Sequence, residues 1–261
     1  GDQLQQALAE LRETGLRLTS SLGTNTIAIQ TPTKSLNRPV ETPTPMNFRE
    51  AMERWDMTSL LYAGKMATRR AYGIALRSLG HTHKNVWSLD ADVSNSTFSN
   101  SFANDPELED RFVECKIAEQ NMYSVGAGLS AAGKIPFCST FAKFITRGYD
   151  QIEMAINSGA NLKVVGSHSG ISLAADGPSQ MSLPDVAWFR SFATMKDHHG
   201  NPGCFVLQPA DAWAAYALTI KMAEHNGCCY LRTFRPDVEM IYNQNTNFEL
   251  GGMEVLTQGR D

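Results

Sequence analysis

The sequence predicts an α/β fold in which a three-layer, mostly parallel sheet carries helices on both faces. Two observations predict it: short apolar runs recur along the chain after residue 85, and helical patterns separate most of them. Strands that alternate with helices in this way pair in parallel through right-handed crossovers. Functional groups are then expected where the strands end, because open α/β sheets bind ligands at that edge.

The individual elements follow from the same patterns. Six apolar runs are predicted to be strands, at 86–89, 112–115, 135–138, 162–166, 204–207 and 229–231. Helices are predicted at 3–17, 47–55, 67–80, 119–132, 144–157 and 210–225. The first helix rests on Leu4, Leu8 and Leu11 at helical spacing, and Gly15 is placed to end it.

Three parts are predicted along the chain. Residues 1–46 form an amino-terminal helix and an extended linker, because residues 18–46 are rich in Ser, Thr, Asn and Pro. Residues 47–242 form the α/β domain, and residues 243–261 form an exit segment toward a further domain. The long linker and the abrupt end of the sequence predict a domain excised from a longer protein.

Composition excludes several classes of function. The 261 residues carry a net charge of −4 with 42% hydrophobic residues, which leaves no basic footprint for nucleic acid. The five cysteines lack zinc-type spacing and indicate reduced core residues. No apolar run approaches the ~18 residues of a membrane span, and a signal segment is not recognisable. We expect a soluble cytoplasmic protein that binds neither nucleic acid nor membrane.

One carboxylate lies at a predicted strand-to-helix junction. Glu119 follows the apolar run 112–115 and opens a helical pattern that includes Met122, Val125 and Leu129. This position puts its side chain at the ligand-binding edge of the sheet. The alternative is an ordinary first-turn Glu that favours the positive end of the helix dipole, and position alone favours that alternative.

Other side chains are predicted at the same edge. Phe141 and Phe144, three residues apart and predicted on one helical face, could form a wall for a flat ring or could be core residues. His168 follows an apolar strand and is either hydrogen-bonded locally or functional. Arg69 and Arg235 could bind phosphate through their planar guanidinium groups, or could be a solvated charge and a strand-end ion pair.

Five short motifs surround these residues. They are Asp92-Val-Ser-Asn-Ser-Thr-Phe98, Ile117-Ala-Glu119-Gln-Asn-Met122, Pro136-Phe-Cys-Ser-Thr-Phe141-Ala-Lys-Phe144-Ile-Thr-Arg147, Gly166-Ser-His168-Ser-Gly170 and Asp176-Gly-Pro-Ser-Gln180. Their order and spacing resemble the central, pyrimidine-binding domain of transketolase, a thiamine diphosphate enzyme. The resemblance covers about residues 66–245, and five separate motifs are far more specific than a single match.

The resemblance implies how the cofactor would be held. A Glu kept protonated in a dry pocket can donate to the pyrimidine ring nitrogen, and the resemblance implies that catalytic role for Glu119. It implies that Phe144 is the main stacking residue, with Phe141 beside it. The remaining cofactor contacts that it implies come from Asp92, Arg147 and Gln180.

The resemblance also implies the substrates and the reaction. Members of the family move a two-carbon ketol unit between ketose and aldose sugar phosphates. The residues implied to bind these sugar phosphates are Arg69, Ser96, His168, Asp176 and Arg235. The plain alternatives are a helix cap for Ser96 and a turn residue for Asp176.

The chain departs from the family pattern in three ways. The Gly-Asp-Gly signature that holds the diphosphate and magnesium on an amino-terminal domain is absent, and so is the third, carboxyl-terminal domain. No metal ligand is therefore predicted in this chain. Asp90 and Asp92 resemble a pair of carboxylates that could bind a metal, but the resemblance favours Asp92 as a polar contact near the thiazolium ring. Residues 173–176 read Leu-Ala-Ala-Asp where many relatives carry Gly-Glu before the Asp, which leaves substrate preference open.

In the family the active site lies between two subunits of a homodimer. We therefore expect the chain to be inactive alone. Alternatives are another thiamine diphosphate enzyme, namely a deoxyxylulose phosphate synthase or a dihydroxyacetone synthase, and a non-catalytic subunit that pairs with a separate diphosphate-binding chain. The short motifs Asn-Ser-Thr-Phe and Phe-Arg-Pro favour transketolase, and the long linker disfavours a stand-alone subunit.

Overall fold

The computed structural model describes residues 1–21, 23, 44–196 and 200–259. These residues form two compact units, Gly1–Arg38 and Pro39–Asp261. Most of the predicted linker lies outside the described residues. The adjacent residues His198 and His199 also lie outside them. On a strand their side chains would point apart, so a metal site is not predicted there. Among the described helices, none combines the length and the apolar character that a membrane crossing needs.

The first unit contains the helix α1 (Asp2–Ser21). The prediction that Gly15 ends this helix is wrong, because the helix continues for six residues beyond it. A helix-ending glycine adopts a left-handed conformation, and the glycine that does so here is Gly23, with a φ of 67°. Gly15 costs helix propensity without stopping the helix.

The second unit contains the α/β domain. Its α-helices are α2 (Phe48–Arg54), α3 (Thr58–Tyr62), α4 (Thr68–Thr82), α5 (Ser94–Thr97), α6 (Asn100–Ala103), α7 (Glu119–Ala131), α8 (Tyr149–Asn157), α9 (Asp185–Thr194) and α10 (Ala212–Glu224). Its 3₁₀ turns are Glu109–Arg111, Phe144–Gly148 and Ile171–Asp176. Its strands are β1 (Lys65–Met66), β2 (Val86–Asp90), β3 (Phe112–Glu114), β4 (Ile135–Phe141), β5 (Lys163–Ser167), β6 (Cys204–Leu207), β7 (Cys228–Arg232) and β8 (Val238–Glu239).

Six strands form one parallel sheet in the order β3-β2-β4-β5-β7-β6. They correspond to the six predicted strands, so the predicted parallel α/β fold is confirmed. Every residue of β4 is buried, which is what a central parallel strand covered on both faces requires. The elements that the sequence did not predict are α3, α5, α6, α9 and the small antiparallel pair of β1 and β8.

Two hydrophobic cores lie on opposite faces of this sheet. Neighbouring residues of β4 show the division, since Phe137 packs into one core and Cys138 into the other. The first core includes Leu76 of α4 and Tyr216 of α10. The second core is built from residues of α7, α8 and α9, among them Met122, Ile152 and Phe189. Helices therefore cover both faces, as the sequence predicted.

The last core helix and the tail share one anchor. Asp211 caps α10, because its carboxylate accepts the main-chain N–H of Ala214 at 2.9 Å. The same side chain accepts the N–H groups of Ile241 and Tyr242, each at 2.9 Å. A buried carboxylate thus fixes the segment that follows β8 against the domain.

We predict that two glycine substitutions on α7 change the stability of the domain in opposite directions. A Cβ at Gly126 would lie 2.7 Å from Sγ of Cys138 and 3.0 Å from Cδ1 of Leu162, whereas a Cβ at Gly128 meets nothing within 4 Å. Gly126→Ala should therefore destabilise the domain by about 1–3 kcal/mol through overpacking. Gly128→Ala should stabilise it by up to about 1 kcal/mol through helix propensity. Urea unfolding of both variants checks the pair, and equal effects would contradict the packing of α7 on the sheet.

Candidate active site

Glu119 lies at the start of α7, directly after the carboxyl end of β3. Its side chain is only 3% exposed, and Nη1 of Arg147 donates to both carboxylate oxygens, at 2.9 and 3.1 Å. Arg147 comes from the 3₁₀ turn that follows β4, and its own side chain is 51% exposed. The predicted carboxylate is therefore buried at the sheet edge and paired with one half-exposed guanidinium group.

An aromatic shelf lies beside this ion pair and consists of Phe141 and Phe144. Their rings are nearly parallel, with centroids 5.2 Å apart and 15° between the planes. The prediction that they share a helical face is wrong, because Phe141 is the last residue of β4 and Phe144 begins the 3₁₀ turn. Pairing of Phe141 with Ser167 extends β4 to this point, and the chain then turns back tightly.

The shelf connects the ion pair to a histidine. Cζ of Arg147 lies 5.0 Å from the ring centroid of Phe144, and the His168 ring lies 4.1 Å from that of Phe141. Residues i and i+3 of a 3₁₀ turn lie above one another, which places Arg147 over Phe144. Glu119, Arg147, the two phenylalanines and His168 thus form one continuous series of contacts.

His168 is buried and is held by two polar neighbours. Nη1 of Arg69 lies 3.2 Å from Nε2, and Oγ of Ser167 lies 2.9 Å from Nδ1. Since a guanidinium group can only donate, Nε2 accepts and Nδ1–H donates to Ser167. Burial, and then the positive charges of Arg69 and Arg235, lower the pKa of His168 to about 3. The imidazole is therefore neutral near neutral pH.

Two arginines converge on this side of the edge. Nη1 of Arg69 donates to the main-chain carbonyl of Ser96 at 2.7 Å, and its guanidinium lies over the ring of Phe98. Burial and the charge of Arg235 lower the pKa of Arg69. Arg235 lies 3.6 Å from the carboxylate of Asp176, with both side chains close to half exposed. The structure therefore brings together the predicted set Arg69, Ser96, His168, Asp176 and Arg235, although Ser96 takes part through its main chain.

Two predicted cofactor residues are not joined to this arrangement. Asp92 is exposed, has a φ of 64°, and donates its main-chain N–H to Glu114 at 3.1 Å. Gln180 is half-buried, and its main-chain N–H donates to the carbonyl of Gly177. Among the described residues, no hydrogen bond or ion pair links either side chain to Glu119 or Arg147.

The role of Asp90 was not predicted from the sequence. It is fully buried at the end of β2 and accepts three hydrogen bonds, from Val93 N–H at 2.8 Å, Thr97 Oγ1 at 2.7 Å and Ser99 Oγ at 2.8 Å. It therefore fixes the loop that carries Ser96, and it does not pair with Asp92. The sequence contains a signal for this role, because hydroxyl residues such as Thr97 and Ser99 follow shortly after an Asp that ends a strand.

No group of three or more His, Cys, Asp or Glu side chains within the described ranges is placed to hold a metal ion. The site instead has a buried acid beside an aromatic shelf on one side and two arginines around a neutral histidine on the other. Fold and site together define the class: an α/β domain with a candidate ligand site at the carboxyl edge of its parallel sheet.

The family follows from comparison with known proteins. The family described as "Transketolase, pyrimidine binding domain" matches residues 64–240, which is more than half of the chain. The chain belongs to this family of transketolase pyrimidine-binding domains.

Individual relatives agree with this assignment. Human transketolase is 41% identical over 234 residues, covering 89% of this chain and 36% of the human protein. Rat transketolase is 41% identical over 223 residues, covering 85% of this chain and 32% of the rat protein. A solved structure described as a split gene transketolase, inactive beta4 tetramer, is 37% identical with a TM-score of 0.62, covering 75% of this chain and 60% of that one. The chain spans about a third of the length of these two curated relatives.

The burial of Asp90 predicts a pH dependence of stability. Burial is the main cause that raises the pKa of Asp90 to about 6, whereas an Asp in an unfolded chain titrates near ~3.9. The folded state therefore binds more protons between these values, so this residue's contribution to stability falls as pH rises through that window. The unfolding temperature of Asp90→Asn, measured relative to wild type, should rise over the same window. A difference that is constant with pH would contradict the buried, titrating Asp90.

Proposed function

We propose that this chain is the pyrimidine-binding part of a transketolase that transfers a two-carbon ketol unit between ketose and aldose sugar phosphates. The observation that carries the proposal is the contact series in which Arg147 joins a buried Glu119 to the stacked pair Phe141 and Phe144. A buried acid beside a flat aromatic face suits a heteroaromatic ring that needs one polar partner and one stacking surface. Relatives named transketolase support the same reaction.

The residues present fit the pyrimidine end of thiamine diphosphate, the cofactor that the family implies. The position of Arg147 supports this fit, because its planar, nitrogen-bearing group lies over Phe144 while it hydrogen-bonds Glu119. When bound, the cofactor supplies the electron sink for breaking a carbon–carbon bond next to a carbonyl. Glu119 holds a proton toward the pyrimidine ring nitrogen, Phe144 stacks on the ring, and Phe141 supports Phe144. Asp92, Arg147 and Gln180 are proposed as further cofactor contacts.

The opposite side of the site suits a sugar phosphate. Arg69 and Arg235 supply two guanidinium groups for a phosphate, and planar guanidinium groups bind phosphate through paired hydrogen bonds. The neutral His168 can bind a sugar hydroxyl without adding a third positive charge. We place Ser96 and Asp176 beside it as hydroxyl-binding groups. Asp176 can accept such a hydroxyl because its ion pair with Arg235 is long and exposed.

The proposal includes parts that lie outside this chain. Magnesium and the diphosphate are assigned to a separate amino-terminal domain, and the complete site to an interface between two subunits of a homodimer. The solved relative described as inactive supports an inactive isolated chain. The proposed boundaries remain 1–46, 47–242 and 243–261, and the proposed location is the cytoplasm, supported by buried, free cysteines.

A coupled assay tests the proposed reaction. The complete protein, carrying this chain together with its diphosphate-binding part, should convert xylulose phosphate and ribose phosphate only when thiamine diphosphate and magnesium are present. This chain alone should show neither turnover nor measurable cofactor binding, because half of the binding groups are missing. Turnover with pyruvate and glyceraldehyde phosphate, or with formaldehyde as acceptor, would identify one of the two alternative enzymes. Cofactor binding without any transfer would favour the non-catalytic pairing subunit.

Substitution of Glu119 tests its catalytic role. Glu119→Gln in the complete protein should lower kcat by at least about 100-fold, because an amide cannot supply the carboxyl proton. The unfolding temperature and the circular dichroism spectrum should stay close to those of wild type. Glu109→Gln is the matched control, since Glu109 is exposed and precedes β3 at the other end of that strand. Equal activity of the two variants would exclude Glu119 from catalysis.

A further inference from the structure

Arg147 engages both groups that the proposed function assigns to the cofactor ring. Its Nη1 hydrogen-bonds both oxygens of Glu119, and its Cζ lies 5.0 Å from the centroid of Phe144. A ligand that stacks on Phe144 and hydrogen-bonds to Glu119 must therefore displace the Arg147 guanidinium from this position. Arg147 can move away, because its side chain is half exposed while that of Glu119 is buried.

The hydrogen-bonding chemistry of the two partners is opposite. A guanidinium group only donates, so it pairs best with an ionised carboxylate, which only accepts. A pyrimidine ring nitrogen also only accepts. When such a nitrogen replaces the guanidinium, Glu119 must carry a proton in order to donate to it, and that proton comes from solvent.

The other titratable groups around Glu119 do not replace Arg147 as a counter-charge. Tyr123 on α7 and Cys138 on β4 are neutral, because burial raises the pKa of each well above its ordinary value. Asp90 on β2 has a pKa raised by burial to about 6 and adds negative charge above that pH. The helix α8, which packs against α7, carries Asp150 and Glu153 and no basic side chain. Among the described residues, Arg147 is the cation in an ion pair with Glu119.

We propose, resting on the proposed function, that in the cofactor-free protein Arg147 occupies the place of the pyrimidine ring and is the counter-charge of Glu119, so that cofactor binding expels Arg147 and takes up one proton per site. Arg147 is thus a positioning residue that sets the charge of the catalytic acid. Cofactor affinity is then expected to fall with rising pH over the pH range in which the cofactor-free protein contains the ion pair between Glu119 and Arg147. The expelled guanidinium, still tethered beside Phe144, remains available as a cofactor contact.

Calorimetric titration of thiamine diphosphate with magnesium into the complete protein tests this coupling. Measured in two buffers of different ionisation enthalpy, wild type should take up about one proton per site, and its affinity should fall up to about tenfold per pH unit. Arg147→Gln should take up clearly less than half as many protons and show a flatter pH profile, because this variant lacks the guanidinium group that pairs with an ionised carboxylate. Lys143→Gln is the matched control, as it removes a positive charge from the same segment, and it should behave as wild type.

The outcomes separate this inference from the proposed function. Proton uptake that is absent in wild type, or that is equal in wild type and Arg147→Gln, would overturn the role of Arg147 even if ketol transfer is observed. Proton uptake that depends on Arg147 in a protein without ketol transfer would leave this inference standing and overturn the reaction. Absence of proton uptake in wild type would overturn the inference even if the variant does not fold.

Discussion

The parallel pairing of β4 with β2 and β5 is the constraint on which the candidate site depends. Asp90 pairs with Ser139, and Phe141 pairs with Ser167, so the three strands end at one edge. Side chains far apart in the sequence meet there because parallel strands in register present their carboxyl ends together. A shift of register by one residue would turn Phe141 toward the other face and separate it from His168.

The edge is divided electrostatically into two halves. One half has the acid Glu119 paired with Arg147, and the other has Arg69 and Arg235 around a histidine that stays neutral. Two guanidinium groups near an imidazole disfavour a third positive charge. The aromatic shelf lies between the halves. This distribution suits a flat ring at one end and an anionic substrate at the other, as the proposed function requires.

The proposed reaction and the proposed role of Arg147 rely on the same carboxyl group in two states. In these proposals the partner of that carboxyl group is the Arg147 guanidinium in the cofactor-free protein and the ring nitrogen when the cofactor is bound. The change between them needs only a half-exposed arginine to move, while the strands, the shelf and the buried acid stay in place. A buried acid paired with a half-exposed cation can therefore couple ligand binding to protonation.

Local patterns in the sequence determined the six strands, their parallel arrangement and the position of Glu119 at a strand-to-helix junction, because apolar periodicity reflects burial directly. They did not determine where Gly15 stands in its helix, how Phe141 and Phe144 stack, or what Asp90 anchors. Contacts such as Glu119 with Arg147, 28 residues apart, and Arg69 with His168, 99 residues apart, depend on the register of distant strands. Only the tertiary structure decides them, because side chains so far apart in the sequence meet through packing and not through local spacing.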